Sequence, residues 1–342
     1  MDDKRTTVRD VAKEANVSIT TVSRFLNQDY GSMSEATKLR IAKAVQKLGY
    51  NNPRAKSRRC VALVLPNVRD PFFAGMVEAV ERKLESMGIS MQLCLTEDSF
   101  EKEEKIIRSL IWPDITGLLY MSTVTAKENC YEILKTACKP FVVMDSYLSE
   151  YNAPAMVFSN GVYGMYEATK YLVEMGHRDI AYLSGIRYGM FEHHRYQGYV
   201  NAMLDSGLKV NTELVRFGSY EVEAGLQAFE SLRTSDKHFT AIICENDQLA
   251  AGVYKGCLRA GLKIPEDISV VGYNNSNIST MLEPPLTTVD QQLDVIVEYA
   301  VDMLVKQLGD KPIIDRTIRV PPRIVLRSSV ADINASADQG EI

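Results

Sequence analysis

The sequence predicts a small all-α helix-turn-helix head followed by a two-lobed, doubly wound α/β body. Three observations support this fold class: two short helical patterns flank a sharp turn near the N-terminus, strand-like runs alternate with helix-length segments after residue 60, and the charge divides at the same place. At 342 residues the chain is too long for one ordinary domain. With 46% apolar and 24% charged residues, its composition is that of a soluble globular protein.

The net charge of −5 hides an uneven distribution. Residues 1–60 contain 13 basic and six acidic residues and carry +7, which leaves −12 for residues 61–342. A small basic segment on a large acidic one is expected when one end of a protein meets a polyanion such as nucleic acid.

The first helical pattern begins at Thr7, and Asp10 three residues later is a partner for a capping box. The apolar residues that follow with helical spacing are Val8, Val11, Ala12 and Ala15. Asn16 comes next, where the chain must turn, and asparagine tolerates a left-handed backbone. A first amphipathic helix ending at a tight turn is therefore predicted.

Two further helices follow in the predicted head. Ser18 is positioned to cap the second helix and Ser34 the third, which ends at Gly49. The predicted core positions are Val22 and Leu26 in the second helix, and Leu39, Ile41, Val45 and Leu48 in the third. The second helix then directs Ile19, Thr20, Ser23, Arg24 and Asn27 outward.

This outward face is short and polar apart from Ile19, and it carries one arginine. In a helix-turn-helix protein, arginine reaches guanine edges while serine and threonine reach phosphates. The alternative interpretation is a small helical bundle with an ordinary solvated surface. The basic excess of residues 1–60 favours DNA binding.

Residues 11–27, VAKEANVSITTVSRFLN, closely resemble the N-terminal signature of the lac/gal repressor family, which usually has glycine in place of Asn16. The resemblance implies that residues 1–50 form a DNA-binding domain. It implies that Ile19, Thr20 and Arg24 read base edges. It further implies backbone-contacting positions at Thr7, Ser18, Thr21, Ser23 and Asn27.

Residues 51–59, NNPRAKSRR, form a short basic linker that departs from the family pattern. Family members usually carry a longer hinge with an Ala-Arg-x-Leu core that inserts a leucine into the minor groove. The linker here is about six residues shorter and has no leucine. We therefore expect Arg54, Lys56 and Arg58 to make electrostatic phosphate contacts. The alternative is a flexible solubilising linker.

Residues 60–330 show strand–helix alternation, which predicts parallel sheets in two lobes. The strand-like runs are Val61–Leu65, Met91–Leu95, Gly117–Met121, Phe141–Met144, Met156–Phe158, Ile180–Leu183, Ala241–Cys244 and Ser269–Val271. The helix-length segments between and after them are 73–87, 101–110, 161–175, 195–206, 221–233, 247–260 and 292–308. Ligands of such folds bind beyond the carboxyl ends of the strands, so a cleft between the lobes is expected.

The body also resembles the family's effector-binding core, which is like the periplasmic sugar-binding proteins. The matching stretches are 66–73, 176–182, 246–252, 270–275 and 284–289. The resemblance implies that the chain crosses between lobes near residues 160, 288 and 320. The small, polar segment 331–342 is predicted to be a disordered tail.

Candidate effector-binding residues lie at or just after strand ends. They are Phe72, Phe73, Asp145, Arg195, Tyr220, Asn246, Asp247, Asn274 and Gln291. The resemblance implies that Arg195 is the family's ligand-binding arginine, that Tyr220 lies at an aromatic lid and that Gln291 faces the cleft. Aromatic, amide, arginine and aspartate groups together suit a small polyhydroxylated ligand.

Several of these residues also have a structural interpretation. Phe72 and Phe73 could stack on a sugar or pack a helix N-terminus on the core, and Asp145 could be a turn residue. Of Asn246 and Asp247, one is expected to face the ligand and the other to cap the next helix. Asn274 replaces an aspartate that many relatives have, so it keeps one acceptor but loses the charge.

Other classes of protein find little support in the sequence. There is no GxGxxG, GxxxxGK[ST], HExxH or GxSxG motif, so no enzyme is predicted. No metal site and no cofactor are expected, because the six cysteines form no CxxC and no histidine lies at zinc-ligand spacing. No apolar run is long enough to span a bilayer, and no apolar region follows Met1–Arg5, so no signal peptide is predicted. A cytoplasmic protein is expected.

The two resemblances together predict a sequence-specific transcription regulator, most plainly a repressor. It would act as a homodimer on a near-palindromic double-stranded DNA operator. A small polar effector, such as a sugar, would control its DNA affinity from the cleft. The alternative keeps the DNA role but makes the body respond to a protein co-regulator. A solute-binding protein or an enzyme is less well supported.

Overall fold

The computed structural model describes residues 6–26, 31, 33–48, 50, 60–110, 115–121, 133–134, 139–145, 155–185, 193–309 and 311–334. These residues form a three-helix head and two α/β lobes. The helix-turn-helix head and doubly wound body expected from the sequence are both present.

The head contains helices α1 (Val8–Ala15), α2 (Ile19–Leu26) and α3 (Glu35–Lys47). Thr7 caps α1 through the predicted capping box with Asp10. Asn16 ends α1 with a φ of 50°, which is the left-handed conformation that asparagine tolerates. An ion pair of 2.6 Å between Lys47 and Glu14 joins α3 to α1 across the surface. Local capping therefore sets both ends of α1.

The core of the head agrees with the prediction at Val22 and Ile41, and Leu26, Val45 and Leu48 are partly buried against it, but it differs elsewhere. Phe25, rather than Leu26, is the fully buried partner of Val22. The centre of the buried face of α2 lies three residues after Val22, not four. On α3 the buried pair is Ile41 and Ala44. Leu39 is predicted in the core but is 41% exposed. Two residues span about 200° of helical turn, so Leu39 faces away from Ile41.

The first lobe is a six-stranded, wholly parallel sheet. Its strands are β1 (Cys60–Leu65), β2 (Ser90–Leu95), β3 (Gly117–Tyr120), β4 (Phe141–Met144), β5 (Met156–Ser159) and β11 (Thr317–Val320). They lie in the order β11-β5-β4-β3-β1-β2. Helices α4 (Pro71–Glu85) and α11 (Leu293–Leu308) pack on one face, and α5 (Phe100–Leu110) packs on the other.

The second lobe repeats this plan with the order β12-β10-β9-β8-β6-β7. Its strands are β6 (Ile180–Ser184), β7 (Val215–Phe217), β8 (Ala241–Cys244), β9 (Ser269–Tyr273), β10 (Thr287–Asp290) and β12 (Arg323–Val325). Helices α6 (Gly161–Glu174) and α7 (His193–Asp205) cover one face, and α8 (Val222–Arg233) and α9 (Asp247–Ala260) cover the other. A short helix, α10 (Ile278–Met281), follows β9.

The chain passes between the two sheets three times. It leaves the first sheet after Ser159, returns between Asp290 and α11, and crosses again between Val320 and Arg323. Four strands, β7, β10, β11 and β12, are not among the predicted runs. In addition, β12 pairs antiparallel with β10, so strict alternation of parallel strands fails at the C-terminal end.

The first residues of the segment predicted to be a disordered tail are ordered. The Ile333 amide donates to the Met175 carbonyl (2.9 Å), and the Asn334 side chain donates to the Glu174 carbonyl (2.8 Å). Residues 331–334 thus belong to the second lobe, and residues 335–342 lie outside the described part of the chain.

Candidate functional site

The first candidate site is the exposed side of α2. Ser18, Ile19, Thr20 and Ser23 are all exposed, and Ile19 is 48% exposed although it is apolar. Arg24 is half-buried on the same helix. These side chains have the arrangement of a recognition helix, in which the N-terminal residues contact base edges.

Two of the predicted DNA-contacting side chains, Thr7 and Ser18, are also helix caps, and a third, Thr21, bonds the Ser18 cap. The Thr7 hydroxyl bonds the Asp10 carboxylate (2.7 Å), and Ser18 Oγ accepts from the Thr21 amide (3.0 Å) while it bonds Thr21 Oγ1 (2.7 Å). Caps place their helix N-termini at the surface, where amide groups and the helix dipole attract phosphates. Asn27, Arg54, Lys56 and Arg58 lie outside the described residues.

The second candidate site lies between the lobes, where strands of both sheets end. Asp145 follows β4 in the first lobe, Asn274 follows β9 in the second lobe, and Gln291 follows β10 at a crossover. The Gln291 amide can donate to Asp145 Oδ1 (3.1 Å) and accept from Arg195 Nη2 (3.2 Å), and it lies 2.8 Å from Asn274 Oδ1. Four predicted effector residues therefore meet at one place.

Arg195 connects this cluster to the second lobe. Its Nη1 donates to the Glu245 carbonyl (2.6 Å), and its guanidinium carbon lies 4.0 Å from the centre of the Tyr273 ring. A cation above an aromatic ring is held in place by the ring's quadrupole. Arg195 thus has a fixed position from which its remaining N–H groups can reach a ligand.

Tyr220 and Asn246 lie where the lobes touch. The Asn246 Nδ2 donates to the Tyr220 carbonyl (3.1 Å) and to Asp70 Oδ2 of the first lobe (3.3 Å). Asn246 Oδ1 accepts from the Leu249 amide (2.8 Å) and so caps α9. Asn246 therefore combines the capping role with an interlobe contact.

Asp247 has a structural role in this arrangement. It is 1% exposed and accepts from Thr288 Oγ1 (2.6 Å), the Ser276 amide (2.7 Å) and Ser276 Oγ (2.8 Å). Burial raises the pKa of Asp247 to about 6, although these hydrogen bonds oppose the rise. The residue fixes the loop that carries Asn274.

The two phenylalanines also separate into different environments. Phe72 is 6% exposed and belongs to the apolar core beneath α4, which is the structural interpretation. Phe73 is only half-buried, and its ring lies 5.7 Å from that of Phe72 in an edge contact. Asp70 caps α4 by accepting from the Phe72 amide (2.9 Å).

Sequence reasoning missed two residues of the cleft, Asp70 and Glu245. Glu245 comes directly after β8, so the same strand-end rule that selected Asn246 could have found it. Asp70 precedes a proline at the start of a helix, and this local pattern predicts an N-cap but no contact with the other lobe. Its interlobe contact is a tertiary feature.

Burial makes the ionised form of the Asp145 carboxyl group unfavourable. Burial raises its pKa to about 6, and the positive charge of Arg195 opposes that rise. Asp145 also has a positive φ of 45°. A carboxylate that is costly to ionise in the folded protein is relieved by hydrogen-bond donors from a ligand.

We predict that Asp145→Asn raises the free energy of unfolding at pH 7.5, by at most about 3 kcal/mol. The pKa is higher in the folded than in the unfolded state, so the wild type loses stability as the pH rises from about 4 to 6, and the variant avoids this loss at one position. Urea unfolding from pH 3.5 to 7.5 measures the difference. A difference that does not shrink below pH 4 would show that ionisation of Asp145 is not its cause.

Comparison with known proteins assigns the chain to a family. A model of the lacI family of bacterial regulatory proteins matches residues 7–52, and a model of a periplasmic binding protein-like domain matches residues 169–330. The HTH-type transcriptional repressor PurR of Pasteurella multocida (strain Pm70) is 32% identical over 331 residues, covering 95% of this chain and 98% of the relative. The chain belongs to the lacI family.

Solved structures of other transcriptional regulators have the same architecture. The transcriptional regulator CelR in complex with cellobiose is 27% identical, with a TM-score of 0.72, and covers 95% of this chain and 100% of its own. A regulator from Enterococcus faecium with bound ribose is 25% identical, with a TM-score of 0.71, and covers 80% and 99%. The protein is thus a DNA-binding transcriptional repressor of the lacI family.

The described ranges of this lacI family protein show no membrane-spanning helix. They also contain no group of three or more histidine, cysteine, aspartate or glutamate side chains that could hold a metal ion. The relatives found are transcription regulators. The two sites of interest are therefore the surface of α2 and the interlobe cleft.

Proposed function

We propose that this lacI family repressor binds a near-palindromic operator as a homodimer in the cytoplasm. We further propose that a small polar effector, such as a sugar, binds the interlobe cleft and controls operator affinity. Ile19, Thr20 and Arg24 read base edges in this proposal, and Thr7, Ser18, Thr21 and Ser23 lie near phosphates. The relatives with bound cellobiose and ribose support the choice of a sugar.

One observation carries the proposal for the cleft. Asp145 comes from the first lobe, Arg195 comes from the second, and Gln291 lies at a crossover within hydrogen-bond distance of both. A ligand held by this cluster contacts both lobes, so its binding energy favours one lobe arrangement over others. A change in lobe arrangement alters the spacing of two heads on DNA, and this couples the effector to the operator.

Two exposed apolar side chains on the second lobe support a homodimer. Leu258 on α9 is 80% exposed, and Met281 on the adjacent α10 is 75% exposed. Contiguous exposed apolar side chains are typical of interaction surfaces, and the two helices that carry these side chains are in contact. A two-fold axis places the same patch of both copies in one interface and presents two heads to two half-sites.

Arg24→Ala is expected to weaken operator binding by about 1–3 kcal/mol and to reduce discrimination at one base pair. The reason is that an arginine on a recognition helix donates two hydrogen bonds to a guanine edge. Fluorescence anisotropy on DNA from upstream of the gene, beside single-base variants of the bound site, measures both effects. An equal loss on random DNA would mean that Arg24 contacts only phosphates.

The cleft is tested by a thermal-shift screen of sugars, including cellobiose and ribose, with nucleosides and amino acids alongside. A binding compound raises the unfolding midpoint of the wild type, since it binds only the folded state. The rise is expected to disappear in Arg195→Ala and to persist in Arg259→Ala, which removes an exposed arginine of α9. If no compound binds and a purified protein partner changes operator affinity instead, the co-regulator alternative replaces this one.

A further inference from the structure

Glu245 is a buried carboxylate at the end of β8, next to the proposed effector cleft. Its side chain is 2% exposed. Its Oε1 accepts from the Tyr182 hydroxyl, and its Oε2 accepts from Ser184 Oγ (2.7 Å), the Gly185 amide (3.3 Å) and the Tyr220 hydroxyl (3.0 Å). Four donors occupy both oxygens of the carboxylate.

All four donors are neutral. Within the described ranges, Glu245 forms no ion pair with a lysine, arginine or histidine. Buried charges are usually paired, because desolvation costs several kcal/mol that only good partners offset. A strand-end carboxylate that is kept without a direct ion pair is better explained by a local task than by stability.

Among the donors, Tyr220 is linked by hydrogen bonds to the contact between the lobes. Its ring lies directly against Gly185, where a Cβ would approach the ring carbon Cε1 to 2.5 Å. Its carbonyl accepts from Asn246, which also contacts Asp70 of the first lobe. The ring is thus held between a glycine on one side and the carboxylate at its hydroxyl end.

We propose that Glu245 is a positioning residue that fixes Tyr220 as an aromatic wall of the cleft. The proposal rests on the proposed effector site and adds how that site selects its ligand. The Tyr220 hydroxyl donates its hydrogen bond to Glu245. Tyr220 therefore offers the effector its ring face rather than a hydrogen-bond donor. Such a wall stacks on the apolar face of a sugar ring, while Arg195 and Asp145 take the hydroxyl groups.

Amide hydrogen exchange measures this positioning without any effector or DNA. The Gly218 amide donates to the Ser184 carbonyl (2.9 Å), so its exchange reports opening of the segment that carries Tyr220. We expect Tyr220→Phe and Glu245→Gln each to speed Gly218 exchange at least about tenfold. In the double variant, Gly218 should exchange no faster than in the faster single variant, because both substitutions remove the same Tyr220–Glu245 hydrogen bond.

Tyr182→Phe is the matched control, since it removes another hydroxyl from the same carboxylate but leaves the bond to Tyr220. It should leave Gly218 exchange at the wild-type rate relative to the rest of the lobe. Wild-type exchange at Gly218 in both test variants would overturn the proposal. A uniform rise across the second lobe would also overturn it, because it would mean a purely structural role for Glu245. The ligand screen tests the effector site separately, so the two failures are distinguishable.

Discussion

Replacing Phe25 with alanine is expected to unfold the head, to abolish specific DNA binding and to leave the body folded. Phe25 is fully buried and lies at the centre of the small core that joins the three helices. Truncating a buried phenylalanine costs about 3–5 kcal/mol. A domain the size of residues 6–50 has only a few kcal/mol of stability to lose. Loss of α2 then removes the surface that contacts base edges.

Two measurements check this result. Affinity for the upstream DNA should fall at least about a thousandfold, to the level of non-specific binding. The urea transition of the body should keep its midpoint. Leu39→Ala is the matched control, because Leu39 is an exposed leucine of the same head and its truncation should change stability by less than about 0.5 kcal/mol. Similar losses in both variants would show that the core is centred elsewhere.

Gly252→Ala is expected to lower the free energy of unfolding of the second lobe by about 1–3 kcal/mol. Helices α8 and α9 cross so closely there that a Cβ on Gly252 would overlap the Val222 carbonyl and lie 2.5 Å from the Leu226 amide nitrogen. These atoms belong to the backbone, so they cannot rotate away as a side chain would. The helices must separate, and part of the core beneath them is lost.

Urea unfolding of Gly252→Ala, monitored by circular dichroism, measures the loss. Gly309→Ala is the matched control, since a Cβ there meets its nearest atom at 3.6 Å and the φ of −102° suits any residue. That change should be neutral or slightly stabilising, because alanine restricts the unfolded chain. Equal effects of the two variants would mean that the helix crossing does not need glycine.

The sequence predicted the head well where local chemistry decides the structure. The Thr7 cap, the turn at Asn16 and the cap at Ser18 each involve residues within five positions of one another. Core assignment was less accurate, because Phe25 and Leu26 both satisfy the helical spacing from Val22. Only the packing of α3 against α2 distinguishes them.

The body follows the same division. The eight predicted strands are apolar runs in the sheets, whereas the four missed strands are three or four residues long and each contains a polar or charged residue, so no apolar run marks them. The strand-end rule placed Asp145, Asn274 and Gln291 close together, as the structure has them. The rule could not predict that Asp247 has a structural role. The three hydrogen bonds that Asp247 accepts come from residues 29 and 41 positions later in the sequence.

The order of the crossovers affects how the protein is made. The head is complete once Tyr50 has left the ribosome, but the first lobe still lacks α11 and β11, which end at Val320. At about 5–20 residues per second, translation of the intervening 270 residues takes roughly 15–50 seconds. Each nascent chain therefore carries a folded DNA-reading head for a substantial time before either lobe can close.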